Sequence, residues 1–427
     1  MIRIVDLRST KNARLRTAAL FRPDPSVERS VSRIIRTVRA RGDRALTDYT
    51  RMYDGVRIGS IAVPPKEITA AKRNADPAFV ALLRAAAANI RRYHRHQVRK
   101  DWRITDASGS DLRQRYIPLD RVGVYVPGGT AAYPSTVLMN VIPAQVAGVK
   151  EIHLVSPPRK DGSVHPDVLT AASVLGVSNV YRVGGAQAVA ALAYGTATVP
   201  AVDKIVGPGN IFVATAKRMV YGAVGIDAIA GPSEVVILAD NSADPLFVAA
   251  DLLAQAEHDR RAVPILVTPS ASFAAAVADR LKRLAASQPR RDIAAAALRD
   301  QGRIFLVSSL RHGIDLTNEL APEHLEIITT KDETVLKRIR HAGSIFLGNH
   351  SPVAAGDYFA GPNHVLPTER TARFSSPLSV DDFVRRSSVV RFTPKKMRSI
   401  AAQAAMFADH EGLAAHAASL RLRGITE

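Results

Sequence analysis

From Arg121 onward the chain alternates short β-branched runs with Gly/Pro turns and Ala-rich stretches, and this alternation constrains the fold more than any other feature. The runs V-G-V-Y-V-P-G-G, E-I-H-L-V-S-P-P, N-V-Y-R-V-G-G and K-I-V-G-P-G-N are each followed by helical sequence, the pattern of parallel strands joined by crossover helices. A second series follows at Glu234–Asp240, Val263–Pro269 and Arg303–Val307. Two α/β units are the simplest account. The first 120 residues read mainly as helices, among them Ser26–Gly42, whose apolar positions recur at helical spacing and whose glycine supplies the stop. After about Leu378 helical sequence returns, with Gly412 separating its two segments.

With 427 residues, 47% of them hydrophobic, the chain can bury the cores of two or three domains. It has no cysteine, which excludes disulfides, thiolate metal sites, iron–sulfur clusters and a cysteine nucleophile; any metal must be held through His, carboxylate, amide or water. The residues from Met1 lack the continuous apolar stretch of a signal peptide, and no later segment is apolar over about 18 residues. A cytoplasmic protein with no membrane partner is expected. The net charge of +19 raises nucleic acid as a partner class. Without a recognised binding motif, it reads instead as an Arg-rich surface on an enzyme with anionic ligands. The densest basic run, Arg91–Lys100, continues a long helix, and its His94 and His96 are expected on the solvated face.

Three strand-to-helix turns carry glycines: Gly128 with Gly129, Gly184 with Gly185, and Gly207 with Gly209. Backbone amides at such turns can hold phosphate, although glycines also serve simply to make a turn tight. None completes a dinucleotide fingerprint, because Phe212 stands where the third glycine is needed. Tyr125, Gln187 and Asn210 lie beside these turns, placed to meet a ligand at the carboxyl ends of the strands; Asn210 is equally suited to cap the next helix.

A helix from Pro245 to about His258, opened by Asp244 as N-cap, is expected. On it Asp251, Gln255 and His258 fall at i, i+4 and i+7, one polar stripe on an otherwise apolar helix. The stripe suits either a metal or substrate site, or a hydrogen-bonded seam between packed elements. Glu323 and His324 follow Pro322, which should end the preceding helix, and precede a strand-like run. As neighbours they offer two proton-transfer groups of different pKa; as an ordinary helix-end pair they would do nothing. Asp357 and His364 sit in a Gly/Pro-rich loop with aromatics, and Glu411 and His416 flank Gly412 as a surface pair would.

Taken in order, Y-V-P-G-G, G-G-A-Q-A, K-I-V-G-P-G-N, A-G-P-S-E, L-L-A-Q-A-E-H, A-P-E-H-L, G-D-Y, G-P-N-H-V-L-P-T and a final E-x-x-x-x-H resemble the histidinol dehydrogenase family over essentially the whole chain. The resemblance implies an α/β fold of two Rossmann-like parallel-sheet units with helical N- and C-terminal extensions. Its expected divisions are an arm over 1–21, a discontinuous domain of 22–124 plus 233–378, a second over 125–232, and a helical dimerisation arm over 379–427. It further implies one zinc ion per subunit on Gln255, His258, Asp357 and His416, and NAD on Tyr125, Gln187 and Asn210. Substrate would be met by Ser233, His324, His364 and Glu411 together with the zinc ligands. The implied reaction is the two-step oxidation of L-histidinol to L-histidine through bound histidinal, the last step of histidine biosynthesis, with His324 as base and Glu323 activating water. Family members are homodimers, so Glu411 and His416 would complete the partner's site. A paralogous sulfopropanediol dehydrogenase on the same scaffold is the alternative. Val353 departs from S-P-E-x-x-G-D-Y, where some relatives carry an acidic residue, which leaves the support of the Asp357 loop open.

Overall fold

The computed structural model describes residues 2–9, 24–128 and 132–425. Gly129 and most of the expected N-terminal arm lie outside the described residues. By packing, the chain divides into two units, residues 1–97 with 120–383 and residues 98–119 with 384–427.

The first unit holds two parallel sheets. The five-stranded sheet runs in the order Asn179–Arg182, Glu151–Ser156, Arg121–Tyr125, Lys204–Val206, Gly225–Ile226. The six-stranded sheet runs Arg3–Asp6, Arg303–Leu306, Val263–Thr268, Glu234–Ala239, His324–Ile328, Ser344–Leu347. Both series of strand-like runs therefore form sheets, as the alternation predicts. Within Glu234–Ala239, Val235, Ile237 and Ala239 face a core built with helices Pro245–Ala256 and Ala271–Ala286. Val236 and Leu238 face the opposite core, with helix Leu310–Leu320. A sheet covered on both faces leaves no solvated side, which is why its strands read as unbroken apolar runs; each such side chain contributes about 1.5–3 kcal/mol by burial.

The expected helix near Ser26 spans Pro25–Arg41, with Asp24 accepting from the Ser26 N–H at 2.8 Å and Gly42 closing it at φ +53°. Its apolar stripe of Val27, Val31, Ile34, Ile35 and Val38 packs on helices Gly185–Tyr194 and Ile211–Val220 beside the five-stranded sheet. One expectation for the basic run fails. His94 is fully buried, with Nδ1 2.7 Å from Gln97 Oε1, whereas His96 is exposed. The apolar face of helix Pro77–Arg95 carries Leu83, Ala86, Ala87 and Ile90, and His94 continues it one turn further.

The second unit pairs strand Asp111–Pro118 antiparallel with Trp102–Thr105 on one side and Val384–Arg391 on the other. The return of helical sequence after Leu378 is thus delayed by an eight-residue strand. V-R-R-S-S-V-V-R alternates too weakly to announce itself, and its pairing partner lies far away in sequence. Helices Pro394–His410 and Ala414–Ile425 follow, separated at Gly412 with φ +73°. Among the described residues, no helix is long and apolar enough to cross a membrane.

Candidate active site

The glycine turns of the first unit gather at the carboxyl ends of the five-stranded sheet. Tyr125 closes strand Arg121–Tyr125, and its hydroxyl accepts from the Gly185 N–H at 3.0 Å. Burial pushes this phenol up to about 12, so it stays protonated and keeps a donor for a ligand. Gly185 has φ +64°, and a Cβ there would come 2.6 Å from Gln187 Oε1; glycine lets the buried Gln187 side chain fold back over the turn. Asn210 is the N-cap of helix Ile211–Val220, its Oδ1 accepting from the N–H groups of Phe212 and Val213 at 3.0 and 3.2 Å.

A buried ion pair holds the third turn. Lys217 Nζ donates to the Gly207 carbonyl at 2.9 Å and pairs with Asp227, whose Oδ2 accepts from the Gly207 N–H at 2.7 Å. Gly207 has φ +110°, and a Cβ would collide with the Tyr125 carbonyl oxygen at 2.2 Å. Both polar groups of this glycine are thereby satisfied where no other residue fits. Tyr125, Gln187 and Asn210 line one cavity of about 1010 Å3, together with Gly128, Gly185, Asp54, Arg159 and Lys160 among others. That volume suits a ligand as large as a dinucleotide.

The Glu-His pair belongs to the opposite end of the other sheet. Helix Leu310–Leu320 ends at Ala321, held left-handed at φ +46°, and Pro322 prevents continuation. His324 then opens strand His324–Ile328 beside Glu234–Ala239. Glu323 and His324 are 6% and 5% exposed. Glu323 Oε2 accepts from Ser233 Oγ at 2.7 Å and from the Glu234 N–H at 2.8 Å, and stands 3.5 Å from His324 Nδ1. His324 Nδ1 faces the Glu234 carbonyl at 3.0 Å, which leaves Nε2 toward Asp357 Oδ1 at 3.9 Å.

Charges couple these groups. Burial alone would raise Glu323, but the charge of His324 and the hydrogen bonds from His324, Ser233 and Glu234 hold it below the usual range. Burial likewise opposes charge on His324, yet Glu323 and Asp357 raise it to about 9. Burial lowers His364, partly offset by Asp357, whose carbonyl lies 3.1 Å from His364 Nδ1.

Helix Pro245–Ala256 matches the expected start, with Asp244 accepting from the Leu246 N–H at 2.7 Å. It stops two residues before His258. Gln255 is buried with Nε2 unpartnered among the described residues, and His258 is exposed just beyond the helix. Asp251 and the buried Glu326 shift each other's charge, so one member of the stripe belongs to a polar seam. Burial raises Asp251 to about 6, and burial with the charge of Asp251 raises Glu326 to about 8; the seam holds a proton at neutral pH. Val353 enters here through its backbone, its N–H donating to Glu326 Oε1 at 3.0 Å.

The first unit thus brings together Glu323, His324, Ser233, Asp357 and His364, and separately Tyr125, Gln187 and Asn210. Glu411, which caps helix Pro394–His410, and His416 are exposed residues of the second unit. Among the described residues, no three His, Asp or Glu side chains form a metal cluster. Three groups escaped the sequence reading: Glu326, Glu234 and Asp54. Glu326 had a signal, since it stands two residues after His324 in a strand, a charge inside the apolar run H-L-E-I-I. Glu234, raised to about 8 first by burial and then by Glu323, had only its adjacency to Ser233.

A family model described as histidinol dehydrogenase matches residues 22–424. The chain is 55% identical over 395 residues to the histidinol dehydrogenase of Geobacillus kaustophilus (strain HTA426), spanning 92% of this chain and 93% of that protein. With the histidinol dehydrogenase of Bacillus subtilis (strain 168), identity is 51% over 395 residues, or 92% of each. A crystal structure of histidinol dehydrogenase from Elizabethkingia anophelis superposes with a TM-score of 0.93 at 35% identity, covering 99% of this chain and 98% of that one. Motif order, whole-chain identity and fold agree, and the chain belongs to the histidinol dehydrogenase family.

Proposed function

We propose that this protein oxidises L-histidinol to L-histidine in two successive NAD-dependent steps through bound histidinal, the last step of histidine biosynthesis, using one zinc ion per subunit. The observation that carries the reading is the buried Glu323–His324 pair, with His324 Nδ1 engaged by the Glu234 carbonyl at 3.0 Å and Nε2 left for substrate. That contact fixes the neutral tautomer with its proton on Nδ1 and its lone pair on Nε2.

Gln255, His258 and Asp357, with His416 of a second copy, would hold zinc. The donor set fits, because nitrogen and oxygen ligands without thiolate suit this ion, and the buried Gln255 would ligate through its amide oxygen. When bound, zinc supplies a positive charge that anchors the amino alcohol and imidazole of the substrate, and NAD supplies the hydride acceptor.

In the first oxidation His324 Nε2 takes the hydroxyl proton while the carbinol hydride leaves for the nicotinamide. Glu323 then takes a proton from water, whose oxygen adds to the aldehyde to give the hydrate. In the second oxidation His324 takes a hydrate proton as the second hydride leaves. One histidinol, two NAD and one water thus give one histidine, two NADH and three protons. Burial of the pair keeps bulk water from the aldehyde. Ser233, whose hydroxyl is bonded to Glu323, positions that carboxylate, and His364 and the partner's Glu411 would read the substrate.

NADH formation with L-histidinol against dihydroxypropanesulfonate, each with and without a chelator, tests the proposal. Two NADH per histidinol, lost on chelation, is expected. Activity with the sulfonate alone would transfer the assignment to the paralogous reaction.

A further inference from the structure

One carboxylate in the cofactor cavity has an oxygen without a partner among the described residues. Asp54 ends the π-helical turn Thr50–Asp54, where Gly55 at φ +71° leads the chain away. It lines the cavity with Tyr125, Gln187 and Asn210, and its Oδ2 is buried with no hydrogen-bond partner among the described residues. Burial also raises this carboxyl, to about 6, so it is ionised at neutral pH. A buried anionic oxygen lacking a donor is costly to maintain, and such a group is ordinarily completed by a ligand.

The chemistry of that ligand follows from what surrounds it. The oxygen accepts only, so its partner must donate; the cavity's exposed rim carries Arg159 and Lys160, which suit phosphate. Neither Glu323 nor His324 is among the lining residues, so the cavity takes the half of a dinucleotide that does not react. That half offers two neutral donor groups, the adenine amino group and the adjacent hydroxyls of the adenosine ribose, and only the hydroxyls set two O–H donors on neighbouring atoms for one carboxylate. We propose that Asp54 accepts these hydroxyls and selects NAD over its 2′-phosphorylated form. A 2′-phosphate would remove one donor and set its charge against the carboxylate in a site of low dielectric. The inference rests on the reading that this cavity holds NAD.

Asp54→Asn keeps the shape and removes the charge, and an Asp54→Ser variant guards against an effect peculiar to the amide. We expect the KM for NAD to rise about tenfold in both, the effect of losing a hydrogen bond to a charged group, with a smaller change in kcat and none in the KM for L-histidinol. The preference for NAD over NADP should fall about tenfold or more. Titration of NADH fluorescence should show the same loss of affinity without turnover. If Gln187→Ala weakens NAD binding while both Asp54 variants bind NAD and reject NADP as the parent does, the role of Asp54 is overturned and the cavity reading stands. If none of the three weakens NAD binding, the cavity reading falls and this inference with it.

Discussion

The two parallel sheets of the first unit present their functional groups at opposite ends. The five-stranded sheet works at its carboxyl ends, where glycine turns and helix starts assemble a cavity around Tyr125, Gln187 and Asn210. The six-stranded sheet works at its amino ends, where Ser233, Glu234, Glu323 and His324 meet as two neighbouring strands begin. Carboxyl ends suit binding, because turn amides and helix N-termini point outward there. The amino ends supply few free amides, and what they gather here is a buried set of carboxylates and a histidine whose charges shift one another. The proposed function assigns cofactor binding to the first place and proton transfer to the second.

The largest effect is expected at the proton-transfer end. His324→Asn should lower kcat at least about a thousandfold, measured as NADH release. Glu323→Gln should chiefly impair oxidation of histidinal rather than of histidinol, seen as a first NADH without a second. Comparable losses in both half-reactions for Glu323→Gln would remove its assigned role.

Next comes the ion pair that clamps the Gly207 turn. Lys217→Met leaves Asp227 buried without its partner and should destabilise the protein by about 3–5 kcal/mol, read by denaturant unfolding. A loss below about 1 kcal/mol would mean that the pair is not what holds Gly207. By contrast Gln187→Ala should raise the KM for NAD about tenfold and move kcat less.

Acidity sharpens the contrast further. Glu323 and Asp357 raise His324 to about 9, and the proposed base is the neutral imidazole, so the rate of the first oxidation should climb about tenfold per pH unit below that value and level off above it. Glu323→Gln removes the largest raising influence, so the rising limb should shift to lower pH. A limb that stays in place would show that the two charges are not coupled in the working enzyme.

The smallest effect concerns the second unit. If Glu411 and His416 complete a partner's site, mixing His416→Ala protein with Glu323→Gln protein should restore about a quarter of the parent activity. Random exchange makes half the dimers mixed, each with one intact site. Persistent inactivity after proven exchange would count against shared sites.

How far the sequence could be read followed the same division. The glycine turns, the Asp244 cap and the stop at Pro322 were legible because local chemistry dictates them. Asn210 proved to be both possibilities at once, a helix cap that also lines the cavity. The stripe of Asp251, Gln255 and His258 divided, since Asp251 pairs with Glu326 on a strand whose neighbour no periodicity identifies. His94 was misplaced because a histidine within an Arg-rich run looks solvated until the apolar face beneath it is traced a further turn. Strand Val384–Arg391 was missed because its partner, Asp111–Pro118, is too distant for local pattern to reveal.

The division of labour is tested most directly by titrating NADH into His324→Asn protein. A Kd within about twofold of the parent is expected, since a factor of two is only about 0.4 kcal/mol, while turnover is abolished. Loss of NADH binding together with turnover would contradict it, because the cofactor cavity would then depend on the proton-transfer pair.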